Sequence, residues 1–575
     1  MLRRLLTRRQ KDPAAADALI ARGSALQRDG DLAAAEACLR EAIAAAPGSG
    51  LAHARLGVIL ATLGRLDEAA ESFDHAVALA PDDPYAHMNL ANVHRRLGRS
   101  DAALEHYRAA VRLNPDLPVA WSNMLRPLLD ACDWAGAARA LDSLLERRRH
   151  GAADWARYIA PMDSILAAVP PRVCREIAEF HAGRLEPGAP ALARRATAPR
   201  ERLRVGYLSR DFRNHAVGQL ARSFLRAHDR SQFEVLAYSY GRDDDSRYRR
   251  EVAAATDRFV DVRDEDPEAT ARRIADDGID ILVDLSGYTT DHRLAILARR
   301  PAPVQVHYLG YPATLGAPFV DYFITDHVAS PPGQDALFTE RLVRLPACFM
   351  PGDPDQPLAT TAPARADLGL PADGIVFCAF HQTAKITAGV FDAWAGILRA
   401  VPGSVLWLRT GGDAARRNLA AAALAREVAP DRLVFAPNVA DKRVHASRLL
   451  AADLFLDTFD RYNGHSTVNE ALWAGLPVVT IAGETFAARV AASLVAAAGV
   501  PELAAADPAQ YAGTAVRLAG DPAARSTLRQ KLIAARATEP LFDNERLVRA
   551  LERAYRTMWS RHAAGEPPQA FAVPA

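Results

Sequence analysis

From Asp17 to Ala152 apolar residues return at helical spacing, and the pattern repeats at a shift of 34 residues: Asp17–Gly50, Leu51–Pro84, Tyr85–Pro118 and a weaker Val119–Ala152. In the two central blocks Leu56/Leu90, Gly57/Ala91, Gly64/Gly98, Ala69/Ala103, Phe73/Tyr107, Ala76/Ala110 and Pro81/Pro115 correspond, which puts small residues where paired helices cross and a proline between blocks. At Leu203 the period shortens. RVGYLS, FEVLAYSY, RFVDV, IDILVDLSG, VQVHYLG and DYFIT are apolar runs of strand length separated by helical segments, and after PGDPDQPLATTAPA the alternation restarts with GIVFCAF, SVLWLR, RLVFAP, DLFLDT and PVVTI. The pattern predicts stacked helix pairs followed by two α/β halves.

The period of 34 is that of the tetratricopeptide repeat (TPR), so the helix pairs are expected to curve into an α-helical superhelix whose concave face holds extended peptide. Asn89 and Asn123, one period apart, are candidates to bond a bound peptide backbone, or else each bonds its neighbouring helix. The fourth block lacks the closing proline and carries Leu144 where Ala76 and Ala110 stand, so it reads as the end of the stack. The two α/β halves read as Rossmann-like domains with a ligand cleft between them. The expected boundaries are a basic segment 1–16, repeats 17–152, a helical linker 153–200 running into EPGAPALARRATAPRER, lobes 201–358 and 359–542, a C-terminal helix 543–562 and a disordered tail 563–575.

In the second half, ADLFLDTFDRYNGHSTVNEALWAG reads as strand, loop and helix start, with Thr467 and Glu470 as a capping box and Gly475 and Pro477 as the stop. His465 and Ser466 add a ring nitrogen and a hydroxyl to unpaired backbone N–H groups, a combination that attracts phosphate but also occurs at helix starts that bind nothing. The next strand-to-helix turn, Gly483 to Thr485 followed by Arg489, repeats the design and points to one anion site at the carboxyl edge of a parallel sheet. No GxGxxG follows the first strand of either half and no GxxxxGK[ST] occurs, which counts against a dinucleotide dehydrogenase and a P-loop enzyme.

Composition narrows the class further. Seventy Lys and Arg against 69 Asp and Glu leave a net charge of +1, so there is no general basic footprint for nucleic acid and any anion site must be local. The five cysteines lie far apart with no CxxC and no Cys/His cluster, which argues against structural zinc and against a disulfide framework and fits a cytoplasmic setting. The start, MLRRLLTRRQK, is basic without the apolar stretch of a signal peptide, and no run approaches the length of a membrane span. Asp243 to Asp245, and Asp353 with Asp355, read as solvated loop acids and not as metal ligands.

The strings RVGYLSRDFRNH, GYTTDHR, RPAPVQVHYLGYPATLGAPFVDYFITD, FHQTAKI, SVLWL, NGHSTVNEALWAGLPVVT and GETFAARVAAS occur in this order. Together with the repeats the chain resembles the O-linked N-acetylglucosamine transferase family, including its SPINDLY-like relatives, over about residues 17 to 560. The resemblance implies a TPR superhelix followed by a two-lobed GT-B glycosyltransferase. The reaction it implies is inverting and metal-independent, needs no cofactor beyond its nucleotide-sugar donor, and glycosylates Ser or Thr of proteins.

Carried onto this chain, it implies that Gln382 and Lys385 meet the donor phosphates, that Lys442, His445 and Arg448 read the uridine and its ribose, and that His465, Ser466 and Thr467 contact the pyrophosphate. Glu470 falls where the family has a ribose-binding carboxylate, an Asp in the animal enzymes, and Ala384 stands where animal members have Tyr. Gly310, Tyr311 and Pro312 are expected to shape the sugar pocket through their backbone. His215 matches a histidine proposed as general base, and Asp284, at the carboxyl end of IDILVDL, is a second candidate from sequence geometry.

The reading is transfer of N-acetylglucosamine from UDP-N-acetylglucosamine to a protein held by the repeats. Two alternatives stand beside it. One is the same chemistry with GDP-fucose or a bacterial sugar nucleotide, acting on flagellin or an adhesin. The other is a repeat scaffold with an inactive transferase half, against which the intact Lys385, His465 and Thr467 argue. The sequence gives no oligomeric state.

Overall fold

The computed structural model describes residues 13–167, 169–185, 191–192, 201–409 and 411–575. The basic start and most of EPGAPALARRATAPRER lie outside the described residues. Two compact units result: Met1–Tyr158 together with Gly412–Ala415, and Ile159–Gly411 with Arg416–Ala575.

In the first unit four helix pairs follow one another: α1 Pro13–Arg28 with α2 Leu32–Ala45, α3 Gly50–Thr62 with α4 Leu66–Leu79, α5 Pro84–Arg96 with α6 Ser100–Leu113, and α7 Pro118–Asp130 with α8 Trp134–Arg149. Asp31, Ser49, Asp83 and Asp133 cap helix starts by accepting backbone N–H groups. Between the helices of each pair the chain must turn left-handed, which Gly30, Gly64 and Gly98 do freely at φ of 85°, 80° and 73°. The fourth pair does the same with Cys132 at φ 53°, a residue whose Cβ makes that conformation cost about 1–2 kcal/mol. The weaker fourth block is therefore a complete helix pair. Asn123 donates to Asn92 Oδ1 at 2.8 Å, an oxygen that also accepts the buried Tyr107 hydroxyl at 2.6 Å, so Asn123 bonds a neighbouring helix; Asn89 is half-buried on α5.

The second unit opens with α9 Pro161–Leu166 and α10 Pro171–Gly183. These helices, expected as a linker, belong to the α/β unit: the Ala178 carbonyl accepts the Tyr288 hydroxyl at 3.2 Å, and a Cβ on Gly316 would lie 2.2 Å from the Glu179 nitrogen. Then come β1 Leu203–Ser209, α11 Ala216–Arg226, β2 Phe233–Ser239, β3 Arg258–Asp261, β4 Ile281–Asp284, β5 Val304–His307, β6 Tyr322–Asp326 and β7 Arg341–Leu345. The second half supplies β8 Val376–Ala379, β9 Val405–Arg409, β10 Leu433–Ala436, β11 Leu454–Leu456, β12 Val478–Ile481 and β13 Ala504–Ala505, and the chain ends in β14 Phe571–Ala572.

All strand pairings are parallel, in the orders β14-β7-β6-β5-β4-β1-β2-β3 and β10-β9-β8-β11-β12-β13. The strand order reverses between β1 and β4 in the first sheet and between β8 and β11 in the second, which is where doubly wound sheets open a crevice at their carboxyl edge.

β7, which lies between β14 and β6, and the two-residue edge strands β13 and β14 escape the apolar pattern. β14 overturns the disordered tail: Val573 is buried and its N–H donates to the Arg344 carbonyl at 2.9 Å. Just before it, the helix Asn544–Ala563 crosses back to the first sheet, where the Tyr555 and Tyr207 hydroxyls meet at 3.0 Å and Glu552 lies 3.0 Å from the buried His228. Asp353 is not a solvated acid either. It is buried and accepts from Arg222 at 2.7 Å, while Asp355 pairs with Arg226 at 2.8 Å, so this turn ties the connecting segment to α11.

Candidate functional site

The β11 strand ends in Asp457, whose carboxylate organises the loop that follows. Oδ1 accepts the Gly464 N–H at 2.7 Å and Oδ2 accepts the Thr480 hydroxyl at 2.6 Å. Burial raises this carboxyl to about 7, opposed by Thr480, Gly464 and Lys385. Because Gly464 is pinned there, the next helix starts at Ser466, with His465 as a cap residue that makes no side-chain cap bond. Thr467 thus sits inside the first turn, too deep to cap. Its Oγ1 is buried with no hydrogen-bond partner among the described residues. The expected capping box does not form, and the helix start keeps its N–H groups and an unspent hydroxyl for a ligand.

The β8 strand ends beside it. Gln382 is exposed and begins a single 3-10 turn, Thr383–Lys385, in which Ala384 is buried. The Lys385 ammonium lies over the Tyr462 ring, 3.6 Å from its centroid, and donates to the Asn463 carbonyl at 3.0 Å. His465 lies tilted against the same Tyr462, with ring centroids 4.7 Å apart, and directs Nε2 to the Ala487 carbonyl at 3.1 Å; burial and Lys385 hold its pKa well below the usual value, so it is neutral. Arg489, expected at the same anion site, gives its guanidinium to the carbonyls of Val328 and Gly483, both at 2.9 Å.

A second cluster adjoins. The helix Lys442–Arg448 puts Lys442, His445 and Arg448 on one side, three residues apart. Glu470 takes the Lys442 ammonium on one oxygen and His445 Nε2, at 3.1 Å, on the other. Arg448 donates to His445 Nδ1 at 2.7 Å, so His445 carries its proton on Nε2 and points it at the carboxylate. Burial opposes the charge on Glu470, but Lys442 and His445 hold its pKa down to about 2. Arg448 also lies 4.4 Å over the Phe380 ring. A narrow cavity lined by Lys442, Ser466 and Glu470 reaches Ala216 and Gln219 on α11, whose first residue, Ala216, follows His215 in the chain.

His215 begins α11 with its ring half exposed. Nδ1 faces the Val217 N–H at 3.3 Å and Asp211 Oδ2 at 3.6 Å. Burial lowers its pKa, opposed by Asp211, and keeps the imidazole neutral. Asp284 is different. It is buried at the end of β4, with Gly287 N–H at 2.7 Å, Ser286 N–H at 3.3 Å and His307 Nδ1 at 3.2 Å all directed at its carboxylate. His307 Nε2 is 2.8 Å from the Tyr311 carbonyl, and although burial works against the charge, Asp284 raises the His307 pKa. A carboxylate so saturated and paired does not fit the role of proton acceptor. Gly310 lies against the Leu285 carbonyl, where a Cβ would come within 1.9 Å, and Pro312 is buried beside it, so both belong to the packing of this β4–β5 edge.

The sequence reading missed Asp211, Asp457 and Tyr462. The signal for the two acids was there, in carboxylates within two residues of a strand's end.

A model of glycosyl transferase family 41 matches residues 188–361 and 355–551. The chain belongs to glycosyl transferase family 41. A tetratricopeptide-repeat model matches residues 1–50, 20–84 and 55–118, which places the TPR superhelix ahead of the family 41 lobes. An Arabidopsis thaliana protein described as a probable UDP-N-acetylglucosamine-peptide N-acetylglucosaminyltransferase SEC is 38% identical over 379 residues, 65% of this chain and 39% of that protein. The Caenorhabditis elegans UDP-N-acetylglucosamine-peptide N-acetylglucosaminyltransferase is 32% identical, over 64% of this chain and 41% of that protein. The family 41 chain thus spans about two fifths of the length of these relatives. A mutant O-GlcNAc transferase of Thermobaculum terrenum has the same fold, with a TM-score of 0.69 and 31% identity over 97% of this chain and all of that one. No helix among the described residues is long and apolar enough to cross a membrane.

Proposed function

We propose that the chain is an inverting protein O-glycosyltransferase that moves N-acetylglucosamine from UDP-N-acetylglucosamine to Ser or Thr hydroxyls of proteins recognised through the repeats. The observation that carries this reading is the helix start at Ser466, which has no side-chain cap, a buried unspent Thr467 hydroxyl, and the Lys385 ammonium held beside it at Asn463. Such a place suits a diphosphate that gains charge as its bond to the sugar breaks. The Lys442–His445–Arg448–Glu470 cluster next to it offers the polar groups a nucleoside needs, and the matched relatives are described as using this donor.

His215 is the proton acceptor in this reading. In the resting geometry Nδ1 accepts from Val217, which leaves the proton on Nε2. Exchange of that proton through solvent to Nδ1, with a small ring shift that turns the new Nδ1–H toward Asp211, frees Nε2 to take the acceptor proton, with Asp211 as the positioning residue. Diphosphate charge is met by Lys385 and the helix N-terminus, so transfer runs without a metal at the donor site and persists in excess chelator. No disulfide joins any of the five cysteines among the described residues, which suits a reducing, cytoplasmic setting.

The test combines a thermal-shift panel of UDP, GDP, CMP and their sugars with transfer of labelled N-acetylglucosamine to protein. Stabilisation by UDP and its N-acetylglucosamine conjugate, together with label on Ser or Thr, is expected. Stabilisation by GDP or CMP alone, with no label transferred, refutes the donor.

A further inference from the structure

Far from the donor cluster, the repeat unit gathers imidazoles from helices that are separate in sequence. Asp74 on α4, His94 on α5 and His106 on α6 each bring one ligand atom to within 4.8 Å of the other two. A third histidine stands behind them. His87 Nε2 lies 3.0 Å from the Pro81 carbonyl, an acceptor only, so this nitrogen carries the proton and His87 Nδ1 is the acceptor. His106 Nδ1 lies 3.0 Å from that Nδ1 and must therefore donate to it. The relay leaves a lone pair on His106 Nε2.

His94 stacks on His106 with ring centroids 5.7 Å apart, and its Nδ1 is buried without a hydrogen-bond partner among the described residues. Burial lowers the pKa of both rings, so they are neutral near pH 7, the form that ligates metal. Arg99, whose charge acts on His94, is engaged by Asp67 at 2.8 Å.

We propose that His94, His106 and Asp74 form a binding site for a divalent transition metal of the zinc type, with His87 as the residue that orients His106. Two imidazoles and one carboxylate suit zinc and its neighbours better than magnesium or calcium, which prefer all-oxygen shells. Bonds of about 2.0–2.2 Å to nitrogen and oxygen put tetrahedral donors roughly 3.4 Å apart. Rotation of the exposed Asp74 and the half-buried rings closes the remaining gap, and water completes the shell. The site joins α4 of one repeat to α5 and α6 of the next, so the ion would staple two neighbouring repeats.

Titrating the metal-stripped full chain with Zn2+ against a chromophoric chelator tests this, with Co2+ as a visible reporter of tetrahedral ligation. The expected result is one tight equivalent and a higher melting temperature. Binding is lost in the His94→Ala/His106→Ala double variant and unchanged in His53→Ala, which lies outside the cluster. His87→Ala keeps all three ligands but cuts the relay, and is expected to weaken binding about 10- to 100-fold. Should circular dichroism show that the double variant misfolds, Asp74→Ala removes a ligand from an exposed position and is expected to weaken binding at least as much. No tight equivalent in the wild type, or equal affinity in wild type, double variant and Asp74→Ala, overturns the proposal.

Discussion

The carboxyl ends of β4 and β11 sit at corresponding places in two parallel sheets, each beside the first strand of its own sheet, β1 and β8, yet they are finished in opposite ways. In the first, the buried acid and its imidazole are fully engaged: Asp284 holds two backbone N–H groups and His307, and His307 holds the Tyr311 carbonyl. In the second, Asp457 arranges the loop while Thr467 Oγ1 stays unbonded and the Lys385 ammonium rests on a carbonyl and a ring face. Similar topology thus yields one edge closed for stability and one left open for charge. A buried polar atom without a partner costs stability in the free protein, and a ligand that supplies the partner recovers it.

The largest expected effect breaks the closed edge. Asp284→Ala strands buried His307 and two N–H groups, and is expected to lower stability by about 3–5 kcal/mol in urea unfolding. An unchanged midpoint would show that this pair does not close the edge. At the open edge, Lys385→Ala is expected to leave the urea midpoint near wild type while turnover falls about 10- to 100-fold, as loss of a charge-assisted bond of about 1.5–3 kcal/mol implies. Donor dissociation should change little, since the ammonium acts mainly on charge that appears in the transition state, and Lys385→Arg should rescue little. Wild-type single-turnover rates in Lys385→Ala would remove this lysine from the chemistry.

Asp457 gives the open edge a pH dependence. Its folded-state pKa is about 7, above the roughly 3.9 of an unfolded aspartate, so the native state binds this proton more tightly. Its contribution is full below about pH 4 and declines as pH rises through about 7, so Asp457→Asn should flatten the fall of stability across that window in chemical unfolding. A profile identical to wild type would mean that Asp457 is already ionised at low pH. The smallest effect belongs to Thr467→Val, which removes no bond from the free protein. Stability should hold or rise, while donor affinity weakens about 2- to 10-fold by calorimetry, as for one neutral hydrogen bond of about 0.5–1.5 kcal/mol. Equal affinity in the variant would show that the hydroxyl stays unspent even with donor bound.

Helical spacing, the 34-residue copy and the paired runs of apolar strands made the repeats and both lobes legible, because burial of one face imposes a period on any chain. Short edge strands such as β13 and β14, two residues each, carry no period to detect. Thr467 and Glu470 show the limit within the site: their spacing matched a capping box, but the Gly464 turn set by Asp457 started the helix two residues earlier and freed Glu470 for Lys442 and His445.

By itself the sequence determined the order of domains, the loops that carry chemistry and the kinds of side chain available there, since these follow from periodicity and local residue type. Only the tertiary structure decided which of those groups are already satisfied. Asp284 and Asp457 both follow strands, and nothing local distinguishes the one matched by a buried imidazole from the one that pins a turn. Likewise His87, His94 and His106 form no motif along the chain, and become a cluster only because α4, α5 and α6 pack side by side. Partners distant in sequence settle protonation and readiness to bind, and contact between distant residues is what the linear pattern does not encode.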